Sequence, residues 1–225
     1  MKQPLWKRFL SYIMDVPVET SESEHNPFLR VILKKGQYQL CTANAIYSYG
    51  DLYDNFSKAF QKIDLDKLKI ENVLILGFGL GSIPLMLEKM FAKKYHYTAV
   101  EIDPEVLRLA STYILKDIAS PIEFQILDAY TYAAFCNEKF DMICMDVFLD
   151  DIVPTELEQE DFLRYMRDML TENGIVLFNK LAYQKKDKQQ AEAFFKNYFK
   201  RIFTEGVYLD VQGNYILLNR GDCLK

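Results

Sequence analysis

The sequence lacks any long apolar run, which argues against a helical membrane protein. No hydrophobic stretch approaches the roughly 20 residues that a membrane-spanning helix needs. Near the N-terminus, Lys7 and Arg8 interrupt the apolar residues 5–10, so the segment does not have the continuous apolar core of a signal peptide. We therefore expect a cytoplasmic protein without a membrane partner.

Cysteine and histidine are also scarce. The chain has 2 histidines, and its 4 cysteines lie far apart, with no Cys-x-x-Cys pair. The cysteines are Cys41, Cys136, Cys144 and Cys223. So few metal-binding side chains make a zinc site improbable, and we expect no metal. Buried, reduced thiols of a cytosolic protein are the favoured interpretation.

The net charge is −5, from 27 basic and 32 acidic residues. A mildly acidic chain lacks the basic surface that attracts nucleic acids, so no nucleic-acid partner is expected. Neutral or cationic small-molecule acceptors fit this charge better. At 225 residues the chain is long enough for one sizeable core and short for two full domains.

From residue 72 onward, apolar strands alternate with helical segments, which predicts a parallel sheet covered by helices on both faces. The predicted strands are residues 73–76, 97–102, 122–127, 140–145 and 175–178. The predicted helices are residues 82–93, 104–115, 129–136, 156–170 and 188–199. Two further segments, 203–211 and 215–218, flank Gln212-Gly213-Asn214 and predict a closing antiparallel hairpin.

The predicted division places an N-terminal segment at residues 1–63 and the main domain at residues 64–225. In the first segment, residues 29–33 and 38–41 predict a β-hairpin in which Gly36 takes the strained turn position. The acidic and serine-rich residues 19–24 are expected to form a solvated loop. A short helix is expected to pack onto the body through Leu5, Phe9, Tyr12 and Ile13.

Several residues mark the expected helix ends. Ser82 and Asp103 are expected to cap the helices that follow them, with Pro104 in the first helical position. Thr155 and Glu158 have the spacing of a capping box. Asn173-Gly174 is expected to end the helix over residues 156–170.

A glycine-rich turn, Gly77-Phe78-Gly79-Leu80-Gly81, follows the first parallel strand. Glycines allow a tight turn and let a ligand lie against the backbone. Taken alone, such a turn is as consistent with a simple strand-to-helix connection as with a ligand site.

Acidic residues at the next two strand ends strengthen the ligand interpretation. Glu101 lies about 20 residues beyond the glycines, where a carboxylate can accept hydrogen bonds from ribose hydroxyls. Asp128, at the third strand end, either receives an adenine amino group or caps its own helix. Because parallel strands end at one edge, these residues predict a nucleoside pocket. The third glycine comes one residue early for a dinucleotide motif, so NAD is a minor alternative.

These motifs resemble the class I S-adenosylmethionine-dependent methyltransferase fold and, within it, the spermidine-synthase-like branch. The resemblance runs from about Leu29 to the C-terminus. It implies an α/β fold with a Rossmann-like seven-stranded sheet that ends in an antiparallel hairpin, and a small N-terminal β-hairpin segment over the cofactor site. The implied cofactor is S-adenosylmethionine or its decarboxylated form. The implied cofactor-binding residues are Gly77, Phe78, Gly79, Gly81, Glu101, Ile102, Asp128 and Ala129.

The resemblance also matches Asp146 to the catalytic aspartate that faces the reacting amine in aminopropyltransferases. A carboxylate there can orient an amine and take its proton. The residues predicted to contact the acceptor are Tyr47, Tyr49, Phe148 and Asp150. For Asp150, the interpretation as a solvated loop residue is favoured over acceptor binding. Related families also suggest a homodimer formed through the aromatic-rich N-terminal region.

The expected function is transfer of a methyl or aminopropyl group to a small acceptor, an amine being one candidate. Val147-Phe148 and Ser48-Tyr49 depart from the pattern of true spermidine synthases, which slightly favours methyl transfer. Two alternatives stay open: an authentic aminopropyltransferase, and a catalytically inactive nucleoside-binding protein of the same fold.

Overall fold

The computed structural model describes residues 3–43, 45–149, 152–211 and 213–225, which form two β-sheets with flanking helices. The strands are β1 Val16–Ser21, β2 Leu29–Lys34, β3 Gln37–Cys41, β4 Ile46–Ser48, β5 Asn72–Leu76, β6 His96–Glu101, β7 Ile122–Ile126, β8 Phe140–Met145, β9 Leu170–Leu181, β10 Val207–Asp210 and β11 Asn214–Leu218. The helices are α1 Leu5–Leu10, α2 Asp54–Lys62, α3 Ser82–Phe91, α4 Pro104–Tyr113, α5 Ala129–Phe135, α6 Glu160–Asp168, α7 Lys185–Phe194 and α8 Lys200–Ile202, with a π-helical turn at Phe195–Phe199.

The larger sheet has seven strands in the order β10-β11-β9-β8-β5-β6-β7. Strands β5 to β9 run parallel to one another, whereas β11 is antiparallel to both β9 and β10. This arrangement confirms the predicted α/β fold with a seven-stranded sheet and a C-terminal antiparallel hairpin. It also places the carboxyl ends of β5, β6 and β8 at one edge.

The hydrophobic core lies on both faces of the larger sheet. Val73 and Ile75 of β5 belong to one cluster of buried side chains, and Leu74 and Leu76 belong to a second. All four are fully buried, which is why the strand is continuously apolar. The first cluster also contains Leu29, Val31 and Leu40 of the smaller sheet, so the two sheets share one core.

The smaller sheet has four antiparallel strands in the order β1-β2-β3-β4, and it contains the predicted hairpin. Its turn has positive φ at both Lys35 (48°) and Gly36 (76°), as a two-residue hairpin turn requires. The prediction of a solvated loop was wrong for residues 19–21, which belong to β1 and pair with β2; residues 22–24 lie in the β1–β2 connection. The polar side chains of β1 are used by α4: Glu19 accepts from Arg108, and Ser21 bonds to Glu105.

The N-terminal helix forms, but it does not pack onto the body as predicted. Leu5, Phe9 and Ile13 are 73%, 74% and 86% exposed. The chain is instead held after the helix, where Ser11 accepts hydrogen bonds from the backbone of Lys35 and Gly36. The homodimer through this region stays a prediction.

Three of the predicted helix boundaries were wrong. Helix α6 ends at Asp168, and Gly174 lies in an irregular part of β9, where the register with β8 shifts. Thr155 begins a short 3-10 turn, Thr155–Glu158, that has no side-chain cap. Ser82 is the first residue of α3 rather than its cap, since Gly81 occupies that position.

All four cysteines are free; Cys144 and Cys223 are buried, whereas Cys41 and Cys136 are half-buried. Within the described ranges, no group of three or more His, Cys, Asp or Glu side chains is placed to hold a metal ion. No helix in that same part of the chain is both long and apolar enough to cross a membrane.

A fully buried carboxylate, Asp103, fastens the smaller sheet to the larger one. Its Oδ2 accepts hydrogen bonds from Ser23 Oγ (2.5 Å) and Asn26 Nδ2 (2.6 Å), both in the β1–β2 connection. Its Oδ1 accepts from the backbone N–H of Glu105 (2.9 Å), which confirms the predicted N-cap of α4. Tyr47 of β4 extends the network by donating to Asn26 Oδ1 (3.1 Å).

We expect Asp103→Ala to lower the free energy of unfolding by about 2–4 kcal/mol, because it removes a helix cap and leaves the buried Asn26 donor and the half-buried Ser23 donor without this acceptor. Urea denaturation measures the change. Asp117→Ala is the matched control, since Asp117 is exposed at the end of the same helical region. Equal stability of the two variants would show that Asp103 does not fasten the sheets.

Candidate cofactor and acceptor site

The glycine turn after β5 is required first by the protein's own backbone. Gly77, Gly79 and Gly81 have φ of 82°, 55° and 87°. A Cβ on Gly77 would lie 2.5 Å from the carbonyl oxygen of Asp146, and one on Gly79 would lie 3.1 Å from that of Tyr47. The glycine pattern therefore reflects close approach of two other chain segments, whether or not a ligand also approaches.

Two backbone hydrogen bonds place acidic residues on either side of this turn. The N–H of Gly77 donates to the carbonyl of Val100 (2.9 Å), and the N–H of Asp146 donates to that of Leu76 (2.8 Å). Because β5 lies between β6 and β8, Glu101 stands on one side of the turn and Asp146 on the other. Both residues keep part of their surface accessible to solvent.

Glu101 already binds the glycine turn. Its Oε2 accepts from the N–H groups of Phe78 (3.1 Å) and Gly79 (3.3 Å), and its Oε1 accepts from the N–H of Asp103 (3.2 Å). Burial raises the pKa of the Glu101 carboxyl, and these three bonds oppose that rise. A carboxylate offers about four acceptor positions, so one is left for a ribose hydroxyl while the backbone bonds persist.

Two of the predicted cofactor residues, Phe78 and Ile102, differ in burial and in surroundings. Phe78 is buried, and its ring packs edge-on against Phe124 at 5.1 Å, so its N–H rather than its ring faces Glu101. The Phe78 ring also lies against Gly81, where a Cβ would meet it at 2.8 Å. Ile102, next to Glu101, is half-buried at the same edge.

Asp128 occupies the cap position that was one of its two predicted roles. Its Oδ1 accepts from the N–H of Thr131 (2.8 Å) at the start of α5. Ala129, the first residue of that helix, is buried. Asp128 remains half-buried, and its role toward an adenine amino group stays a prediction.

Asp146 directly follows β8, on the side of the glycine turn opposite to Glu101. Its Oδ1 accepts from Tyr53 Oη (3.3 Å) and Asn179 Nδ2 (2.8 Å). Burial raises the pKa of Asp146 to about 7, against the lowering effect of these two bonds. Burial, followed by the nearby Asp146, raises the pKa of Tyr53, so its hydroxyl stays protonated and donates. This carboxyl can therefore accept a proton near neutral pH.

Sequence reasoning missed Tyr53 and Asn179. Asn179 has a usable signal, because it is the first polar residue after the apolar run 175–178, just as Asp146 follows the apolar run 142–145. Tyr53 has none, since it lies in an irregular segment before α2 and meets Asp146 only through the fold.

The predicted acceptor residues are not all gathered at Asp146. The Tyr47 hydroxyl donates to Asn26 in the β1–β2 connection, and the Tyr49 hydroxyl donates to the carbonyl of Lys34 (3.4 Å) in the smaller sheet. Phe148 is half-buried against the second core cluster, two residues beyond Asp146. Asp150 lies outside the described residues. The acceptor roles of all four stay predictions.

Strand β4 covers the start of α3, next to the glycine turn. Ser48 Oγ and Ser82 Oγ share a hydrogen bond of 2.6 Å, and the N–H of Tyr49 donates to Ser82 Oγ (3.1 Å). The Ser82 hydroxyl thus joins β4 to the start of α3. The role of the N-terminal segment as a cover over a cofactor stays a prediction.

Gly77→Ala and Gly213→Ala form a matched pair, because both residues have positive φ (82° and 116°). Each substitution should cost about 1–3 kcal/mol of backbone strain. Only the Gly77 variant meets backbone, so it should lose about 1–3 kcal/mol more. Denaturation midpoints test this expectation, and equal losses at the two positions would contradict the close approach to Asp146.

Asp146→Asn should stabilise the protein above neutral pH. The amide oxygen keeps both acceptor contacts, while the buried charge is removed. The folded pKa of about 7 lies above the ordinary 3.8, so the wild type loses stability as pH rises between these values. The variant's advantage should grow over that window to about 2–4 kcal/mol, since one pKa unit corresponds to about 1.4 kcal/mol. Urea unfolding at pH 4 and pH 8 measures it; an advantage independent of pH would contradict the raised pKa.

Comparison with known proteins assigns this chain to a family. The model of the spermine/spermidine synthase domain matches residues 59–210, which include the glycine turn, Glu101 and Asp146. A polyamine aminopropyltransferase of Vibrio vulnificus (strain CMCP6) is 30% identical over 120 residues, covering 52% of this chain and 40% of that protein. The chain thus spans less than half the length of this curated relative.

Solved structures agree on the fold. A probable spermidine synthase from Corynebacterium glutamicum superposes with a TM-score of 0.69 at 18% identity, over 89% of this chain and 79% of that one. Human methyltransferase-like protein 13, in complex with SAH, gives a TM-score of 0.54 at 24% identity, over 67% of this chain and 72% of that one. The chain belongs to the spermine/spermidine synthase domain family, a branch of the class I methyltransferase fold.

Proposed function

We propose that the protein binds S-adenosylmethionine or its decarboxylated form and transfers a methyl or aminopropyl group to a small amine. One observation carries this proposal: Glu101 and Asp146 flank the same glycine turn at the carboxyl edge, and both remain partly accessible. A nucleoside on the Glu101 side and an acceptor on the Asp146 side would meet over Gly77. The aminopropyltransferase relative and the SAH-bound structural neighbour support the same ligand class.

The bound cofactor would supply an electrophilic carbon next to a positively charged sulfur. Glu101 would hold the ribose by accepting a hydroxyl hydrogen bond, and the N-terminal segment would cover the nucleoside. Asp146 would accept a hydrogen bond from the acceptor amine and so direct the lone pair of the amine nitrogen at that carbon. Asp146 would then take the proton from the nitrogen. In this transfer the amine nitrogen would gain the carbon as the carbon–sulfur bond breaks, so that the thioether would be the leaving group and the amine proton would go to Asp146.

Methyl transfer is the favoured version. The residues after Asp146 are Val147 and Phe148 rather than the small hydroxyl residues of spermidine synthases, and Phe148 packs into the apolar core. The aminopropyl alternative has its own support in the curated relative, which is named as a polyamine aminopropyltransferase. Three further parts of the proposal rest on the sequence composition. They are a small acceptor, a cytoplasmic location and the absence of a nucleic-acid partner.

The test combines binding and turnover. Calorimetry with S-adenosylmethionine, its decarboxylated form and the thioether product should show binding by the wild type and at least a roughly tenfold loss in Glu101→Gln, because a charged acceptor is replaced by an amide. Turnover of a panel of small amines should rise with pH and level off above about 7, as Asp146 loses its proton.

Asp146→Asn is the matched variant, because it keeps the shape and the contacts of the carboxyl. It should bind the cofactor as the wild type does and slow transfer by about 10²-fold or more. Binding without turnover of any amine would favour the inactive nucleoside-binding alternative, and no binding of any of the three ligands would overturn the proposal.

A further inference from the structure

A chain of two amides runs from the C-terminal hairpin to the carboxyl of Asp146. Asn214, the first residue of β11, donates from Nδ2 to Asn179 Oδ1 (2.8 Å). Asn179, in β9, donates from Nδ2 to Asp146 Oδ1 (2.8 Å). Asn179 is fully buried and Asn214 is half-buried.

The backbone fixes the position of both amides. Strands β9 and β11 are paired along five residues, with Asn214 opposite Leu181 and Asn179 opposite Ile216. Because Asn214 donates to Asn179 Oδ1, the Asn179 amide is oriented with its N–H₂ group toward Asp146. With the opposite orientation, two donors would face each other and an amide oxygen would face the carboxylate, and both contacts are repulsive.

This orientation determines which carboxyl oxygen is held. Tyr53 and Asn179 both donate to Oδ1 of Asp146. In the described part of the chain, no hydrogen-bond donor is seen on Oδ2. The carboxyl is thus fixed by one oxygen and presents the other.

We infer that Asn179 and Asn214 are positioning residues for the proposed transfer, holding Oδ1 of Asp146 so that Oδ2 meets the acceptor amine. This inference rests on the proposed function, since it assigns the free oxygen to the amine. Neither asparagine touches the reacting atoms; Asn179 acts through Asp146, and Asn214 acts through Asn179.

Few other groups affect the charge of Asp146. Tyr53 faces it from the segment before α2, and Cys144, with a pKa raised by burial and by Asp146, precedes it in β8. Lys180, next to Asn179, is paired with Glu158 and lies 5.1 Å from the Phe194 ring, in the second core cluster. Substitutions of the two asparagines leave all of these groups unchanged.

The experiment measures the protonation of Asp146 directly and through turnover. The infrared band of the protonated carboxyl, taken as wild type minus Asp146→Asn, gives the titration without any reaction. Loss of the Asn179 donor destabilises the charged carboxylate. Asn179→Ala should therefore move this titration, and the acid limb of the turnover profile, up by about one pH unit. Cofactor affinity should be unchanged, and kcat at pH 7 should fall about tenfold.

Asn214→Ala should move the titration in the same direction by less, and it guards against a folding failure of the buried Asn179 variant. The double variant should titrate like Asn179→Ala alone, because Asn214 acts only through Asn179. Asn219→Ala is the control: Asn219 also bridges β9, accepting from the N–H of Val176 (2.8 Å) and donating to the carbonyl of Gly174 (3.0 Å), near the opposite end of the sheet. It should lower stability and leave the titration in place.

Additive shifts in the double variant, or an unmoved titration in both single variants, would overturn the inference. A wild type that turns over amines while Asn179→Ala keeps its pH profile would overturn it as well and leave the proposed function standing. A wild type that turns over no amine refutes the proposed function and, with it, the assignment of Oδ2 to an amine.

Discussion

The close approach of the glycine turn to the backbone of Asp146 is the constraint on which the rest of the site depends. Gly77 is bonded to Val100 on one side and has no room for a Cβ against Asp146 on the other. Any side chain at this position would separate the ends of β6 and β8. The same contact that makes glycine necessary therefore brings the carboxyls of Glu101 and Asp146 to one edge.

The two carboxyls are prepared in different ways. Three backbone N–H groups donate to Glu101, whereas two side-chain donors bond to Asp146 among the described residues. Burial outweighs these bonds at both positions; it raises the pKa of Glu101 and raises that of Asp146 to about 7. A carboxyl that titrates near pH 7 suits proton transfer. The smaller sheet packs on the Glu101 side. There Asp103 accepts a hydrogen bond from Asn26 in the β1–β2 connection, and Ser82 shares a hydrogen bond with Ser48 of β4.

The sequence predicted those parts of the fold that are encoded locally. Buried strands show as apolar runs, and the Asp103 cap and the Gly36 turn rest on contacts a few residues apart. Strand β1 was missed because the partners of Glu19 and Ser21 lie in α4, more than 80 residues away. Gly174 follows an asparagine, a pattern typical of a helix C-terminus, but it lies in an irregular part of β9. Tyr53 meets Asp146, and Asn214 meets Asn179, only when the chain has folded, so no local pattern predicts these contacts.

The most direct test of the central claim is a crystal structure of the protein with the thioether product S-adenosylhomocysteine. The account predicts a ribose hydroxyl at hydrogen-bond distance from Glu101, about 2.6–3.2 Å. It also predicts the sulfur beside Gly77, on the side of Asp146. A nucleoside bound at any other edge of the sheet, or a carboxyl edge that stays closed at saturating ligand, would contradict it.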